Sequence, residues 1–329
     1  MARAAKAKAV PPVSTQASAT QTSHALLRWT ELAQRAYSAN TLRAWRFDWA
    51  EFMGFCARVR SPALPATPDL VRAFIHDRIA AGKKPATIRR YMATIARAHR
   101  SAKLSDPTDS EEVRLGIKAM GRTLPARQRQ ARGLTWEEIA RYLTVRPELL
   151  RDHRDRALVA TAYDTMCRRE ELVNLRIEDI DVQADGSGTI LIRRSKTDPR
   201  GEGAVAYLSA LTMTLLKSWL SNSGLHSGPL FYAIGAKQTL REPLRPAAVG
   251  ATLKRIGLWL RLPPDQVAAI SGHSTRVGAA QDLLALNIDL AAVMQSGRWK
   301  DTRMPMRYGE MALARRSGMA RAAKAQGRT

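Results

Sequence analysis

A histidine and an arginine stand three residues apart in the segment SGHSTRVGAAQDLL, residues 271–284. This spacing brings two side chains to one face of a helix, so His273 and Arg276 can reach the same ligand. Ser271 and Gly272 precede them as at a helix start, where free backbone N–H groups attract an anion. The segment can therefore present an imidazole, a guanidinium and a positive helix end to one phosphate. Taken alone, His273 could also be a metal ligand or a satisfied core histidine.

The other histidines and the cysteines argue against a metal centre. The six histidines are scattered along the chain, at positions 24, 76, 99, 153, 226 and 273. None of them has a potential metal ligand four residues away. Cys56 and Cys167 lie far apart, which excludes a cysteine zinc site and makes a disulfide framework improbable. The sequence also lacks a glycine-rich ATP phosphate loop and an H-E-x-x-H pair. No cofactor and no metal are expected, so any phosphate charge would have to be stabilised by side chains.

A second candidate for that task is Arg168, in AYDTMCRREELVNL. A planar guanidinium binds two phosphate oxygens at once and remains charged. The neighbouring Arg169 fits the same role, and spacing alone does not choose between them. Both could instead be surface arginines that face Glu170 and Glu171.

The charge balance predicts the partner. The 329 residues include 53 Lys and Arg against 29 Asp and Glu, a net charge of +24. Such an excess attracts polyanions, of which nucleic acid is the commonest, with anionic membranes and the ribosome as lesser alternatives. No apolar run approaches the ~20 residues of a membrane span, and no signal peptide is apparent. We expect a cytoplasmic, nucleoid-associated protein with no membrane and no small-molecule substrate.

The elements that must position these residues fall into two units. Residues 1–22 are basic and poor in large apolar groups, which is typical of a disordered tail. In residues 23–120, apolar side chains recur every three or four positions, as Trp49, Phe52 and Phe55 do, and this predicts an all-helical unit of about five helices.

A basic linker and a mixed unit follow. Residues 121–133 hold four arginines and no acid, which favours a linker along a phosphate backbone, or else a merely solvated one. Residues 134–310 open with a capping box, Thr135 and Glu138. Within this unit the alternating stretch around IEDIDVQADGSGTILIRRSKTDPRGEGAVAYLS predicts three short antiparallel strands, followed by helices to the C-terminus. Residues 311–329 are either a docking helix or a basic tail.

Several candidate residues occur in a fixed order along this second unit. The order is Arg168 followed by Glu171, Lys196 in SKTDP, His273, Arg276, Trp299 in SGRWKD and Tyr308 in PMRYGE. This set resembles the tyrosine recombinase (phage integrase) family, and within it the Cre-like members. The resemblance extends over most of residues 25–315, and the joint motif is specific although each piece alone is weak.

The resemblance implies a fold. It would be mainly α, a two-domain DNA clamp with an all-helical core-binding domain and a mixed α/β catalytic domain that carries a small three-stranded antiparallel sheet. Two residues depart from the Cre-like pattern. Pro305 lies where the family has a short helix, so that helix would have to begin near Thr302. Arg298 replaces a small residue before the tryptophan.

The resemblance also implies roles for the residues. Tyr308 would be the nucleophile that forms a 3′-phosphotyrosine. His273 would be its proton acceptor or hydrogen-bonding partner, since a free phenol has a pKa of ~10 and needs help to lose its proton. Arg168 and Arg276 would hold the non-bridging phosphate oxygens.

Three further roles complete the set. Trp299 would donate its indole N–H to the phosphate, and Glu171 would orient the arginine and the histidine. Lys196 would be the general acid for the 5′-oxygen, with Lys300 as a competitor.

The implied partner is double-stranded DNA with an inverted-repeat site. A homotetramer would synapse two such sites and exchange strands through a Holliday junction, with residues 311–329 docking on a neighbouring protomer. A type IB topoisomerase, which nicks and reseals without pairing sites, is the main alternative. A non-catalytic binder with the same fold and a helix-turn-helix repressor are further alternatives.

Overall fold

The computed structural model describes residues 31, 33–125, 127, 130–195, 198 and 201–328 of the chain. The predicted tail at 1–22 and the predicted general acid Lys196 lie outside these residues. The chain divides into two compact units, unit 1 (1–128) and unit 2 (129–329), and each is considered by itself. None of the helices in the described ranges combines the length and the apolar character that crossing a membrane requires.

The described part of unit 1 contains helices and no strand. Its α-helices are α1 (Ala39–Arg58), α2 (Pro68–Ala80), α3 (Pro85–Ser101) and α4 (Glu111–Thr123). α1 begins where the Ser38 hydroxyl accepts a hydrogen bond from the backbone N–H of Thr41. The predicted stripe faces inward, since Phe52 and Phe55 are buried and pack on Phe74, with ring centroids 5.1 and 5.3 Å apart.

Two polar groups in the core of unit 1 have complete sets of partners. The buried Asp48 carboxylate accepts two hydrogen bonds from the Arg90 guanidinium, at 2.8 and 2.7 Å. The buried His99 ring accepts from the backbone N–H of Ala66 at its Nε2 atom and faces the Ile95 carbonyl with its Nδ1 atom, both at 2.9 Å. An acceptor at Nε2 places the proton on Nδ1, so this imidazole is neutral.

Unit 2 mixes helices with two small antiparallel sheets. Its helices are α5 (Trp136–Leu143), α6 (Leu150–Asp164), α7 (Arg169–Val173), α8 (Ala210–Ser223), α9 (Pro246–Trp259), α10 (Pro264–Ala269), α11 (Ser274–Ala285), α12 (Leu290–Gly297), α13 (Arg303–Tyr308), α14 (Glu310–Ala314) and α15 (Gly318–Ala325). Its strands are β1 (Ile180–Val182), β2 (Gly188–Ile192), β3 (Ala204–Leu208), β4 (Tyr232–Ile234) and β5 (Leu240–Pro243).

The three predicted strands are confirmed. They form one sheet in the order β1-β2-β3, in which Ile190 pairs with Ile180 on one side and Ala206 on the other. The predicted fold class, mainly helical with a small antiparallel sheet, is confirmed as well. The expectation of helices alone after this sheet is wrong, because β4 and β5 pair in a second, two-stranded sheet.

Helix α11 lies at the centre of unit 2 and is crossed closely by the chain that enters the unit. Its predicted apolar stripe, Val277, Ala280 and Leu284, is buried. The backbone N–H of Leu134 donates to the Ser274 carbonyl at 2.9 Å. A Cβ atom on Gly278 would lie 1.8 Å from the Leu134 carbonyl oxygen, so only glycine permits this crossing.

The end of the predicted linker is therefore fixed to unit 2. The Arg132 guanidinium binds the Glu138 carboxylate through both terminal nitrogens, at 2.9 and 2.5 Å, and donates to Gln266 at 2.9 Å. Glu138 also accepts from the backbone N–H of Thr135 at 3.2 Å, one half of the predicted capping box. Arg132 is thus engaged within the protein. The first predicted linker residues, through Thr123, belong to helix α4.

Candidate active site

Arg168 and Glu171 are joined at the start of helix α7. The Glu171 carboxylate accepts from the Arg168 backbone N–H at 3.0 Å and from its Nη1 atom at 2.7 Å. Glu171 is buried, whereas Arg168 keeps a fifth of its side chain exposed. The neighbouring Arg169, the alternative phosphate ligand, is exposed. The structure therefore fixes Arg168, and not Arg169, against the buried carboxylate.

Arg276 is buried in the first turn of α11 and held by backbone carbonyls. Its Nη1 atom donates to the Met166 carbonyl at 2.5 Å, and its Nη2 atom donates to the Gly297 carbonyl. Its guanidinium stacks over the Trp299 ring, 4.4 Å from the centroid. Burial, with the positive charges of Arg168 and Arg298, lowers the pKa of Arg276 to about 10. The group still carries its charge at neutral pH.

Tyr308 joins this group through Trp299. The two rings meet edge to face with centroids 5.9 Å apart, and both pack on a small apolar cluster that includes Ala280. The Tyr308 carbonyl accepts from the Gln281 side chain at 3.3 Å. Tyr308 is thus the last residue of α13, and its ring is connected to Arg276 through the Trp299 ring that both contact.

The proline before Tyr308 fits the helix that carries it. Helix α13 begins directly after Thr302, and Pro305 is its third residue. The first four N–H groups of a helix have no intrahelical partner, so proline loses no hydrogen bond there. The departure from the family pattern therefore leaves the short helix intact.

His273 differs from the position that its spacing predicts. It is the residue immediately before α11, and its backbone N–H donates to the Ser271 hydroxyl at 3.2 Å. Its side chain is exposed while that of Arg276 is buried. The core-histidine interpretation is therefore wrong. Among the described residues, no group of three or more His, Cys, Asp or Glu side chains is arranged to hold a metal ion.

Arg298 belongs to the same cluster, although sequence reasoning gave it no role. Its Nη2 atom donates to the second Glu171 oxygen at 3.1 Å, and its Nη1 atom donates to the Thr165 carbonyl at 2.9 Å. Burial raises the pKa of Glu171, but hydrogen bonds from Arg168 and the charge of Arg298 outweigh it, and the net pKa is lowered. The only sequence signal for Arg298 was a large cation where Cre-like proteins have a small residue.

The cluster gathers three guanidinium groups around one carboxylate, those of Arg168, Arg276 and Arg298. Its net positive charge suits a phosphate that gains negative charge during a reaction, because buried donors act more strongly than donors in water. The phenol of Tyr308 provides a potential nucleophile beside it. Such an arrangement can support phosphoryl transfer.

Sequence comparison identifies the family. The model of the phage integrase family matches residues 133–314, and that of the phage integrase N-terminal SAM-like domain matches residues 29–104. The chain belongs to the phage integrase family, the tyrosine recombinases. The predicted resemblance to this family is confirmed.

Individual tyrosine recombinases align over most of the chain. The integrase/recombinase xerD homolog of Selenomonas ruminantium is 29% identical over 290 residues, which cover 84% of this chain and 83% of the relative. Recombinase cre of Escherichia phage P1 is 26% identical over 291 residues, which cover 84% and 85%.

Solved structures of tyrosine recombinases share the fold. The XerH site-specific recombinase bound to palindromic difH substrate, in a post-cleavage complex, matches with a TM-score of 0.60 and 16% identity over 93% of this chain and 90% of that one. A lambda integrase dimer bound to a COC′ core site matches with a TM-score of 0.54 and 18% identity over 87% and 94%.

Proposed function

We propose that the protein is a site-specific DNA recombinase that cuts and rejoins duplex DNA through a 3′-phosphotyrosine intermediate, without ATP or metal. The observation that carries the proposal is the packed series Arg276–Trp299–Tyr308, in which a buried cation and a candidate nucleophile share one aromatic ring. Arg168, tied to Glu171, adds a second guanidinium to the same cluster.

The proposed cleavage is a transesterification. The Tyr308 oxygen bonds to the scissile phosphorus as the bond from phosphorus to the 5′-oxygen breaks. The phenol proton passes to His273, and Lys196, or its competitor Lys300, protonates the departing 5′-oxygen. Attack by a 5′-hydroxyl of the partner strand reverses these steps and releases the tyrosine. One phosphoester replaces another at each step, so no external energy source is required.

The arginines would stabilise the negative charge that develops on the phosphate oxygens during the reaction. Arg168 and Arg276 would bind the non-bridging oxygens, and Trp299 would add its indole N–H. Arg276 is suited to this because its guanidinium is already oriented by two carbonyls and an aromatic face, so little reorganisation accompanies the reaction.

We further propose the domain roles and the assembly. Residues 23–120 would be the core-binding domain and residues 134–310 the catalytic domain of a clamp around DNA, joined by the basic linker 121–133. Four protomers would synapse two inverted-repeat sites and pass through a Holliday junction, with residues 311–329 docking in a neighbour. The palindromic difH substrate of the XerH complex supports the site symmetry. Met311 and Met319, each 70% exposed, support the docking.

Covalent capture tests the nucleophile. Wild-type protein, Tyr308→Phe and Tyr207→Phe are incubated with sheared genomic DNA of the source organism, and fragments attached to denatured protein are sequenced. Tyr207 is an exposed tyrosine on β3 and serves as the matched control. We expect wild type and Tyr207→Phe to capture one site, and Tyr308→Phe to capture none. Adducts that persist in Tyr308→Phe would refute the assigned nucleophile.

The captured site then separates recombinase from topoisomerase. Two copies are cloned as direct repeats on a supercoiled plasmid and incubated with the protein. We expect excision of the intervening DNA. Relaxation of the plasmid without any recombinant product would instead favour the type IB topoisomerase.

A further inference from the structure

Arg298 occupies a backbone position that favours glycine. Its φ of 53° lies in the left-handed region, at the end of helix α12. Arg60 and Arg261 have similar φ values, 52° and 56°, but both are exposed. The Arg298 side chain, in contrast, is only 12% exposed. An arginine that is so little exposed in this conformation calls for a reason beyond ending the helix.

Its hydrogen bonds connect two distant segments. Nη1 donates to the carbonyls of Thr165 and Ser296, at 2.9 and 3.3 Å, and Nη2 donates to the Met166 carbonyl at 3.3 Å. One guanidinium thereby fixes the chain after α6 to the chain at the end of α12.

The same two segments orient Arg276. The Met166 carbonyl, which Arg298 also binds, accepts from Arg276 Nη1, and the carbonyl of Gly297, the residue just before Arg298, accepts from Arg276 Nη2. Trp299, the residue just after Arg298, supplies the ring on which Arg276 stacks. Movement of Arg298 would therefore shift the two carbonyls and the aromatic ring that orient Arg276.

Arg298 also changes the charge balance around Glu171. One oxygen of this carboxylate is bound by the Arg168 side chain, and the other is bound by the Arg168 backbone and by Arg298. Without Arg298, the negative charge of Glu171 would be compensated mainly by Arg168, the cation proposed for the phosphate. With it, the positive charge of Arg168 is left for the ligand.

Stability alone does not explain the residue. The Arg298 Nε atom is buried and has no hydrogen-bond partner in the part of the chain that the structure describes. An unsatisfied buried donor is unfavourable, and a buried ion pair is weak evidence of net stabilisation. Glycine would suit the left-handed backbone better.

We propose that Arg298 is a positioning residue for DNA cleavage, which compensates Glu171 and fixes the carbonyls that orient Arg276. The inference rests on the proposed recombinase function. In this role Arg298 would act through its contacts with Glu171, the Met166 carbonyl and the segment that carries Gly297 and Trp299, and not by contacting DNA.

The test compares Arg298→Gly with Arg261→Gly. Both remove an arginine that has a left-handed backbone conformation and follows an α-helix of unit 2. Only Arg298 contacts the Glu171 cluster. The rate of covalent adduct formation is measured at saturating protein on the captured site, and binding is measured in the Tyr308→Phe background. We expect Arg298→Gly to cleave at least tenfold more slowly with a Kd within about twofold, and Arg261→Gly to match wild type in both.

The pH profile separates positioning from a general loss of structure. Glu171 faces Arg168 and Arg298, with Arg276 nearby and the Cys167 thiol, whose pKa burial raises to about 11, close to it. Removing Arg298 raises the pKa of Glu171, so the acid limb of the cleavage profile should move to higher pH in Arg298→Gly. Arg298→Lys keeps the charge and should restore most of this limb, but not the full rate, because an ammonium cannot bridge both segments.

The outcomes of the two proposals are distinguishable. If wild-type protein forms no adduct, the proposed function fails. If wild type forms the adduct and Arg298→Gly forms it at the same rate with the same pH profile, only the role of Arg298 is refuted. Should Arg298→Gly melt below the assay temperature, Arg298→Lys provides the test. Cleavage at the wild-type rate by Arg298→Lys would refute the positioning role of the Arg298 guanidinium.

Discussion

A buried carboxylate in unit 1, Asp48, and one in unit 2, Glu171, differ in how their charge is compensated. In unit 1, the buried Asp48 is matched by one arginine, Arg90, and the buried His99 is neutral and hydrogen-bonded on both ring nitrogens. In the cluster of unit 2, a single carboxylate, that of Glu171, is set against three guanidinium groups. Compensated polar groups in a core contribute to a unique fold, whereas an uncompensated cation is unfavourable for folding and useful for an anionic ligand. We therefore expect the Asp48 and His99 set to contribute to stability, and the Glu171 cluster to act in the proposed reaction.

The largest effect is expected when the planar guanidinium of Arg276 is replaced by an ammonium group of the same charge. Arg276→Lys cannot bind the Met166 and Gly297 carbonyls and a phosphate together. We expect cleavage of the captured site to fall by about 10²–10³, the usual effect of losing one oriented donor. Affinity for the same DNA, measured with Tyr308→Phe also present, should change far less. Equal losses in cleavage and affinity would mean that Arg276 only binds DNA.

The opposite pattern is expected for Asp48. Asp48→Ala removes both acceptors of the Arg90 fork from the core of unit 1 and should lower the free energy of unfolding by about 1–3 kcal/mol. Hydrogen exchange of the α1 and α3 amides measures this locally. Asp48→Asn, which keeps an acceptor, is the control and should cost less. Cleavage per folded molecule should stay at the wild-type rate. A slower cleavage rate in Asp48→Ala would contradict the expectation that Asp48 contributes to stability alone.

The smallest effect concerns His99 and depends on pH. Burial lowers the pKa of His99, while the unfolded chain has the ordinary value of ~6.5. Between the two pKa values the unfolded state therefore binds more protons than the folded state. The contribution of the neutral His99 to the stability of unit 1 is fully present above pH ~6.5. It is lost as the pH falls toward the pKa of the folded state, by about 1.4 kcal/mol per pH unit. Urea unfolding of wild type and His99→Gln over this window measures it, and parallel pH dependences would show that His99 is not the cause.

Patterns over many residues predicted the fold well. The stripe through Phe52 and Phe55 identified a helix, and period-two alternation identified the sheet β1-β2-β3. β4 and β5, of three and four residues, are too short to show periodicity; β1 is equally short and was identified only as part of the longer alternating stretch that also contains β2 and β3. The pairing of β4 and β5 is set by neighbours distant in sequence.

The candidate site was predictable in membership more than in geometry. The ordered motif named Arg168, Arg276, Trp299 and Tyr308, and the structure brings these side chains into one cluster, while their roles remain predictions. The spacing of His273 and Arg276 did not show that one is exposed and the other buried. Arg298 could not be found from spacing, because its acceptors at positions 165 and 166 lie more than 130 residues away along the chain.

The crossing of Leu134 over Gly278 has a consequence for engineering. Residues 132–135 bind to α10 and α5 through Arg132 and to α11 through Leu134. They are structural parts of the catalytic unit despite their linker-like composition. A chimera that exchanges unit 1 should therefore be joined upstream of residue 130, so that the donor sequence replaces unit 1 and Leu134 remains packed against Gly278.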